Sequence, residues 1–437
     1  MKILVWGINY APEATGIAPY NVGLCEHLRA AGHEPCMLTS FAYYPAWQKH
    51  PADRGKLYRT DTVRGVPVHR CWHYVPARVS AARRILHEGT FVAMSLLRGL
   101  FLPRADVLVV VSPPLLLGAA ASLLGALRGM PFVFHVQDLQ PDAAVGLGML
   151  KAGSFTRLLY RLEAFAYARA ARVSGISQGM LRAFAAKGVP AEKRVYFPNG
   201  VRLVPAQGQT KVGEWRAKQG FSPGDFLAVY SGNLGVKQGL DVLVAAARLV
   251  RDPRVKIIIC GHGAARERIE AQIRQGNLPN LTLLPLQEDG DYLQMMADTD
   301  LCLITQQAGT GQFFFPSKLL SALAAARPVM AVADADSELA VAVQEGQFGW
   351  RVDPDQPAAL ASALEEVAAT DLDTLRQKGA SGCRFGEQFA FEQVMASFEA
   401  VLRRVARTVD QEETPLAAQT KPPRETSSVA AADGKYL

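Results

Sequence analysis

The sequence predicts an α/β protein made of two Rossmann-like, doubly wound domains with a cleft between them. Three observations carry that expectation. Strand-sized apolar runs alternate with helix-sized segments, the pattern of a parallel sheet covered by helices on both faces. The alternation breaks at a polar stretch, residues 202–210, with Pro205 and Gly208, and then begins again. The length of 437 residues suits two or three domains of ordinary size.

In the first half the expected strands are Ile3–Gly7, Cys36–Thr39, Val66–Arg70, Val107–Val111, Phe132–Val136, Arg172–Gly175 and Val195–Phe197. Helical patterns fall between them, among them Tyr20–Ala30, Ser154–Ala170 and Gln178–Ala186. The apolar run from Val107 to Leu127 resembles a membrane span, but Pro113-Pro114 divides it into a buried strand and a helix. The second half offers strands Phe226–Ser231, Lys256–Cys260, Leu281–Pro285, Leu301–Thr305, Val329–Val332 and Gly349–Val352. Helices are expected at Leu240–Arg251, Ala264–Gln275, Ser317–Ala326 and Pro357–Ala369. The domains are therefore expected at residues 1–201 and 202–383, followed by a helical region, 384–407. The last stretch, 408–437, is rich in Thr, Pro, Ala, Ser and Glu and is expected to be disordered.

Composition narrows the class. Hydrophobic residues at 49% and charged residues at 20% exclude a disordered chain, a collagen-like repeat and a coiled coil. None of the six cysteines forms a CxxC pair, which argues against a zinc ribbon or disulfide framework and for a reduced, cytosolic setting. No HExxH occurs, so a zinc hydrolase lacks support. The opening MKILVWGINY shows no signal-peptide pattern.

The net charge of +7 conceals an asymmetry: residues 1–200 hold 23 Lys+Arg against 11 Asp+Glu, and residues 201–437 hold 24 against 29. Only the first half is expected to meet an anionic surface or substrate. Nucleic acid is disfavoured as a partner, because neither an aromatic stacking pattern nor a binding motif accompanies the cations. An anionic membrane surface fits better. Arg78, Arg83, Arg84, Arg98 and Arg104 punctuate an apolar stretch whose longest uninterrupted part is Gly89–Leu97. That is far short of the ~20 residues needed to span a bilayer. Such a helix can lie in the interface with its arginines at the headgroups. A helix packed on a sheet with solvated arginines has the same pattern.

Polar groups at the carboxyl ends of strands point into the cleft, where open α/β sheets bind ligands. The loop after the first strand lacks GxGxxG, which argues against an NAD or FAD enzyme. Gly16 permits close backbone approach just before a helix N-terminus, although an ordinary strand–helix loop reads alike. Glu13 is a candidate for a hydroxyl. At the end of the fifth strand, His135 is a candidate to hold a sugar hydroxyl or carbonyl, and Asp138 to orient an acceptor hydroxyl or to cap the next helix. In Ser231–Gly239 two glycines relax the turn, and Lys237 stands where it can neutralise a diphosphate leaving group without a metal. Gly261, in Cys260-Gly261-His262-Gly263, is read as bringing the backbone near a base or ribose. Pro316 and Ser317 mark a helix start whose N–H groups and dipole suit an anion, with Lys318 adding a charge or forming a surface salt bridge. The Walker pattern GxxxxGK[ST] is missing there. Ser337 resembles a helix cap; Glu338 either binds sugar hydroxyls or is an acid favoured near a helix start.

Taken together, YAPEATGIAPY, Gly32-His33-Glu34, HVQDLQPD, SGNLGVKQGL and FPSKLLSALAAARPVMA resemble glycosyltransferase family 4. More narrowly they resemble bacterial polysaccharide enzymes of the colanic-acid biosynthesis fucosyltransferase type, over Met1 to Arg404. Each motif is modest alone; their order and spacing carry the likeness. The resemblance implies a GT-B fold, transfer with retention and no metal or other cofactor at the reaction centre. It implies a nucleotide-sugar donor, GDP-fucose favoured and UDP-sugars open, bound mainly by the C-terminal domain, with residues 384–407 crossing back onto the N-terminal domain. Carried over, Lys237 contacts the donor diphosphate, Asn233 stands where many relatives have an arginine, and His135 lies near the transferred sugar. One departure matters. Many relatives carry two glutamates eight positions apart, where this chain has Phe313 and Ser321. Ser321, backbone amides and Glu338 are then expected to share sugar and ribose recognition. The acceptor expected is a polyprenyl-diphosphate-linked saccharide at the inner face of the bacterial cytoplasmic membrane. A sugar-nucleotide epimerase and a non-catalytic scaffold protein of a polysaccharide complex are the alternatives.

Overall fold

The structure is a computed structural model that describes residues 1–78, 80–146, 153–202, 213–235, 238–311 and 317–412. Its strands fall into two sheets. The first holds β1 (Lys2–Trp6), β2 (Glu34–Ser40), β3 (Tyr58–Val63), β4 (Val66–Cys71), β5 (Val107–Ser112), β6 (Phe132–Val136), β7 (Arg172–Gly175) and β8 (Arg194–Tyr196). The second holds β9 (Phe226–Ser231), β10 (Val255–Cys260), β11 (Leu281–Leu284), β12 (Leu301–Thr305), β13 (Val329–Val332) and β14 (Gly349–Val352). Their orders are β3-β4-β2-β1-β5-β6-β7-β8 and β11-β10-β9-β12-β13-β14. Every pairing is parallel except β3 with β4. The central strands are buried on both faces, which is why β5 reads as a continuous Val-Leu run.

Alternation along each strand sorts the first core into two layers. Leu4, Trp6 and Phe134 pack under the helices Ala81–Leu100, Leu116–Arg128, Ser154–Arg169 and Gln178–Ala186. Ile3, Val5 and Val109 face the helix Ala18–Ala30 and the final helix, Phe391–Glu412. That final helix is thus part of the first sheet's core, although it follows the second sheet in sequence. The two crossings between the units run side by side: Val201 N–H donates to Phe389 O at 2.8 Å and Phe391 N–H to Val201 O at 3.0 Å. Gly200 lies against this pair, where an added Cβ would stand 3.0 Å from Phe391 Cα.

Three details depart from expectation. The hairpin β3–β4 adds an antiparallel edge, and its half-exposed strand TyrArgThrAspThrVal has no apolar run to announce it. The helix after β9 ends at Ala247 instead of Arg251. The final helix continues to Glu412, into the stretch assigned to a disordered tail, while 413–437 and 203–212, which take in all of the expected linker but its first residue, lie outside the described residues. Among the described residues no helix is long and apolar enough to cross a membrane.

Candidate active site

Strand ends of the two sheets meet across the cleft. Glu338, opening the helix after β13, reaches the start of the helix after β7, where its carboxylate accepts from the Gly179 N–H and from Arg182 at 3.1 Å. Tyr20, on the helix after β1, shares a hydrogen bond with Ser317, on the helix after β12. Glu338 is therefore not waiting for sugar hydroxyls as expected. Ser177 already caps the helix Gln178–Ala186 through Met180 N–H, and Glu338 takes a second free N–H of the same N-terminus, where a negative charge is favoured by the dipole.

On the second unit's wall, two stretches far apart in sequence come together. The stem of Lys318 lies across Gly232, where an added Cβ would stand 2.4 Å from Lys318 Cε. Gly232 has φ +138° as well, so both space and backbone require glycine. Lys318 Nζ sits 5.1 Å from the centre of the Tyr230 ring, a cation–π geometry. The Tyr230 hydroxyl donates to Asn233 O at 2.6 Å, which leaves the exposed Asn233 side chain at the turn's surface. The head of the helix Ser317–Ala324 and the glycine turn thus form one cationic corner. Lys237, Pro316 and Phe313 fall outside the described residues.

Gly261 serves a different purpose from the one expected. A Cβ there would stand 1.9 Å from Gly232 O, and one on Gly263 would stand 2.4 Å from Leu234 O. Leu234 N–H donates to His262 O, and Gly232 N–H to Cys260 O, each at 2.9 Å. The close approach is between two loops of the protein, which brace the turn that carries Asn233. Ser321 likewise has a protein partner, Tyr292, with which it shares a hydrogen bond.

On the first unit's wall, Gly16 has φ +69° and is exposed in front of Tyr44. Glu13 is buried, and its Oε1 accepts from the Tyr43 and Tyr44 N–H groups at 2.9 Å each while Oε2 accepts from Asn9 at 2.9 Å. Burial raises its carboxyl pKa, against these hydrogen bonds. Glu13 is thereby a brace for the loop after β2 and has no free oxygen directed at a hydroxyl. Asp138 stands half-buried in the bend between β6 and the helix Gln140–Gly146.

His135 does not reach the cleft. It is buried, with Nδ1 3.0 Å from Ser174 Oγ and Nε2 2.8 Å from Gln137 Nε2. The Gln137 amide donates, so Nε2 accepts and Nδ1 carries the proton toward Ser174. Burial lowers its pKa to about 3. The residue is a satisfied core histidine, walled by Phe197 and Phe398. Two residues to which the sequence assigned no role stand out instead. Among the described residues Thr15 Oγ1, beside Gly16, and Gln307 Oε1, in the loop after β12, are buried without a hydrogen-bond partner. Each such group costs about 1–3 kcal/mol, which a ligand's polar group would recover.

Two Rossmann-like units closing strand ends on a shared cleft, with a glycine turn and a lysine on one wall, have the architecture of the GT-B glycosyltransferases. The Glycosyl transferase 4-like domain matches residues 15–200, and Glycosyl transferases group 1 matches residues 211–379. The chain is 34% identical over 351 residues to WcaI of Escherichia coli, a protein assigned to colanic acid biosynthesis as a glycosyl transferase; the match spans 78% of this chain and 85% of that one. It is 29% identical over 283 residues to WbjE of Pseudomonas aeruginosa, assigned as a glycosyltransferase, across 62% and 68% of the two chains. The chain belongs to glycosyltransferase family 4. Among solved structures, sucrose-phosphate synthase from Thermosynechococcus elongatus has a TM-score of 0.73 at 18% identity, covering 93% of this chain and 99% of that one. HepE of Anabaena in complex with UDP-glucose has a TM-score of 0.64 at 16% identity, covering 94% and 100%. These two likenesses establish the fold.

Proposed function

We propose that this glycosyltransferase moves a sugar, with retention of configuration, from a nucleotide-sugar to a lipid-linked saccharide in bacterial exopolysaccharide or capsule synthesis. The observation that carries the reading is the corner where Lys318 lies over Gly232 beside Asn233. A nucleoside diphosphate leaving group develops negative charge as the glycosidic bond breaks, and fixed cations and N–H donors at that position lower the barrier. Lys237, a few residues further along the sequence than Asn233, and Lys318 offset that charge, so the reaction as proposed requires no divalent ion. The acceptor hydroxyl attacks from the face the diphosphate leaves, and the departing phosphate oxygen takes its proton. No side-chain nucleophile is needed.

The likeness to a protein of colanic acid biosynthesis supports a polysaccharide pathway, and the resemblance to the fucosyltransferase type favours GDP-fucose as donor. The acceptor is a polyprenyl-diphosphate-linked saccharide, reached at the inner face of the cytoplasmic membrane, with the enzyme held peripherally by its basic first unit. Arg83, Arg84, Ile85 and Leu86 are all exposed at the start of their helix, which supports that contact.

A thermal-shift series without metal tests the donor: GDP-fucose, GDP-mannose, UDP-N-acetylglucosamine, UDP-glucose, GDP and UDP. A ligand that binds only the native state raises the melting temperature by mass action. Stabilisation by GDP and GDP-fucose, followed by transfer in the presence of EDTA, is the expected result. Stabilisation by UDP compounds alone overturns the fucose assignment. A folded sample that responds to none and hydrolyses none overturns the catalytic reading in favour of a scaffold protein.

A further inference from the structure

On the face of the first sheet opposite the final helix, three helices lie side by side: Ala81–Leu100, Leu116–Arg128 and Ser154–Arg169. Gly99 of the first abuts Leu124 of the second, and Gly118 of the second abuts Ala166 of the third, where an added Cβ would stand 3.0 and 2.5 Å from the neighbour's side chain. Close packing leaves one broad outer surface. That surface is apolar where a solvated helix layer is polar. Leu97 and Phe101 on or just past the first helix, Leu123 and Leu127 on the second, and Leu158 and Phe165 on the third are exposed, Phe101 by 77% and Leu127 by 61%.

The charge on these segments is one-sided. Residues 81–128 and 154–169 hold three acids, Glu88 and Glu163 on the helices and Asp106 before β5. Glu88 pairs with Arg84 at 3.0 Å, Asp106 accepts from the Lys2 N–H at 2.7 Å, and the buried Glu163 is held by Lys187 at 2.6 Å and Tyr167 at 2.9 Å. Arg83, Arg157, Arg161 and Arg169 stand exposed around the apolar stripes. A groove of about 530 Å³ opens between the C-terminal ends of the second and third helices, with Arg169 and Lys193 on its lining and Met130 and Phe132 in its wall. Broad apolar exposure marks an interaction surface. Cations around it outnumber the acids, those of the three helices being engaged and Glu192 exposed beside Lys193, which matches anionic headgroups above a hydrocarbon layer.

We propose that this three-helix face lies flat on an anionic lipid bilayer, with Leu127 and Phe165 in the interfacial layer and an anionic phospholipid headgroup in the groove beside Arg169 and Lys193. The inference rests on the membrane reading above and adds to it the surface and the orientation. Contact spreads beyond the arginine-bearing helix to its two neighbours, and the cleft opens along the membrane plane at the end where Arg83 and Arg84 project.

The test is co-sedimentation of the full chain with phosphatidylglycerol-containing vesicles and with pure phosphatidylcholine vesicles. Leu127→Glu/Phe165→Glu is compared with Arg83→Glu/Arg84→Glu, and nucleotide-induced thermal shifts report folding of each. Wild type is expected to bind the anionic vesicles selectively. Leu127→Glu/Phe165→Glu is expected to lower that binding about tenfold or more with its nucleotide response intact. If that variant binds like wild type while Arg83→Glu/Arg84→Glu does not, the first helix docks alone: the three-helix inference falls and the membrane reading stands. If wild type ignores both vesicles, both fall. If wild type is a dimer that Leu127→Glu/Phe165→Glu turns into a monomer, with no vesicle binding, the face is a subunit interface and the inference is overturned.

Discussion

Lys318 and Gly232 form a pair in which each explains the other. The glycine leaves room for the lysine stem, and the lysine gives the glycine turn its charge. Lys318→Ala is expected to reduce kcat/KM about 10- to 100-fold, equivalent to about 1.4–2.8 kcal/mol of lost transition-state stabilisation, with the melting temperature nearly unchanged. Gly232→Ala should reproduce much of that loss, because the methyl group displaces the lysine; steady-state kinetics of both variants checks this. His135 makes the opposite forecast. Its folded pKa, about 3, lies below the ordinary histidine value. The neutral ring's contribution to stability is therefore fully present above about pH 6.5 and is lost as pH falls from there toward 3. His135→Phe should lower stability by about 1–3 kcal/mol by stranding Ser174 and Gln137, while the pH–rate profile keeps its shape. A changed acid limb in that profile would return His135 to the chemistry. Lys318, Asn233 and Gly16 were legible as candidates because glycine turns and helix starts have local signatures. What Glu338, Gly261 and His135 touch was not legible, because each is decided by a partner from a distant part of the chain.

The final helix, Phe391–Glu412, shows the same limit at the level of elements. Its amphipathic pattern marks a helix, but nothing local says which sheet it covers. Phe398 stacks on Phe197 with ring centres 3.7 Å apart and planes 2° from parallel. Phe398→Ala should cost about 3–5 kcal/mol, the usual range for a buried aromatic, measured by denaturant unfolding. The next residue, Glu399, bonds His27 at 3.2 Å, His33 at 3.0 Å and Arg403 at 2.7 Å. Burial alone would raise the Glu399 pKa, but hydrogen bonds from His33, Arg403 and His27 outweigh it and hold the carboxyl at about 2. A depressed carboxyl stabilises the fold above its unfolded pKa and loses that contribution as pH falls through the folded value. Glu399→Gln should therefore be less stable than wild type at pH 7, by about 1–2 kcal/mol after allowance for solvent screening. The difference should shrink between about pH 4.5 and pH 2; a gap independent of pH would mean that packing alone ties this helix down. Most strands were readable because buried parallel strands are unbroken apolar runs. The strand β3 was not, because a half-exposed edge alternates polar side chains and its register depends on the turn Arg64-Gly65, both residues at positive φ.

At the scale of the whole molecule, the two units are joined by the chain crossings and by side-chain contacts, and these do different work. The crossings at Val201 and Ala390 are paired backbone to backbone beside Gly200, a compact pivot. Away from the crossings themselves, Glu338 ties the second unit to Gly179 and Arg182 of the first, past the end of β7, the strand beside β8. A latch of this kind sets how often the cleft is closed before donor arrives. If donor binds the closed form, its observed affinity falls in proportion to the closed fraction. Glu338→Gln removes the charge that favours the helix N-terminus and weakens the contact to Arg182 while preserving shape. It is expected to raise the donor KM about 5- to 30-fold, the equivalent of about 1–2 kcal/mol, and to leave kcat nearly constant, because the saturated enzyme closes in either case. Small-angle scattering of the ligand-free variant should show a larger radius of gyration, returning toward the wild-type value with saturating nucleotide. Arg182→Ala should move both quantities in the same direction by less, since the Gly179 N–H remains to hold the carboxylate. Equal radii with an unchanged KM would show that Glu338 merely decorates a cleft held shut elsewhere. A fall in kcat with the radius unchanged would instead return Glu338 to the sugar-binding role that its place after β13 first suggested.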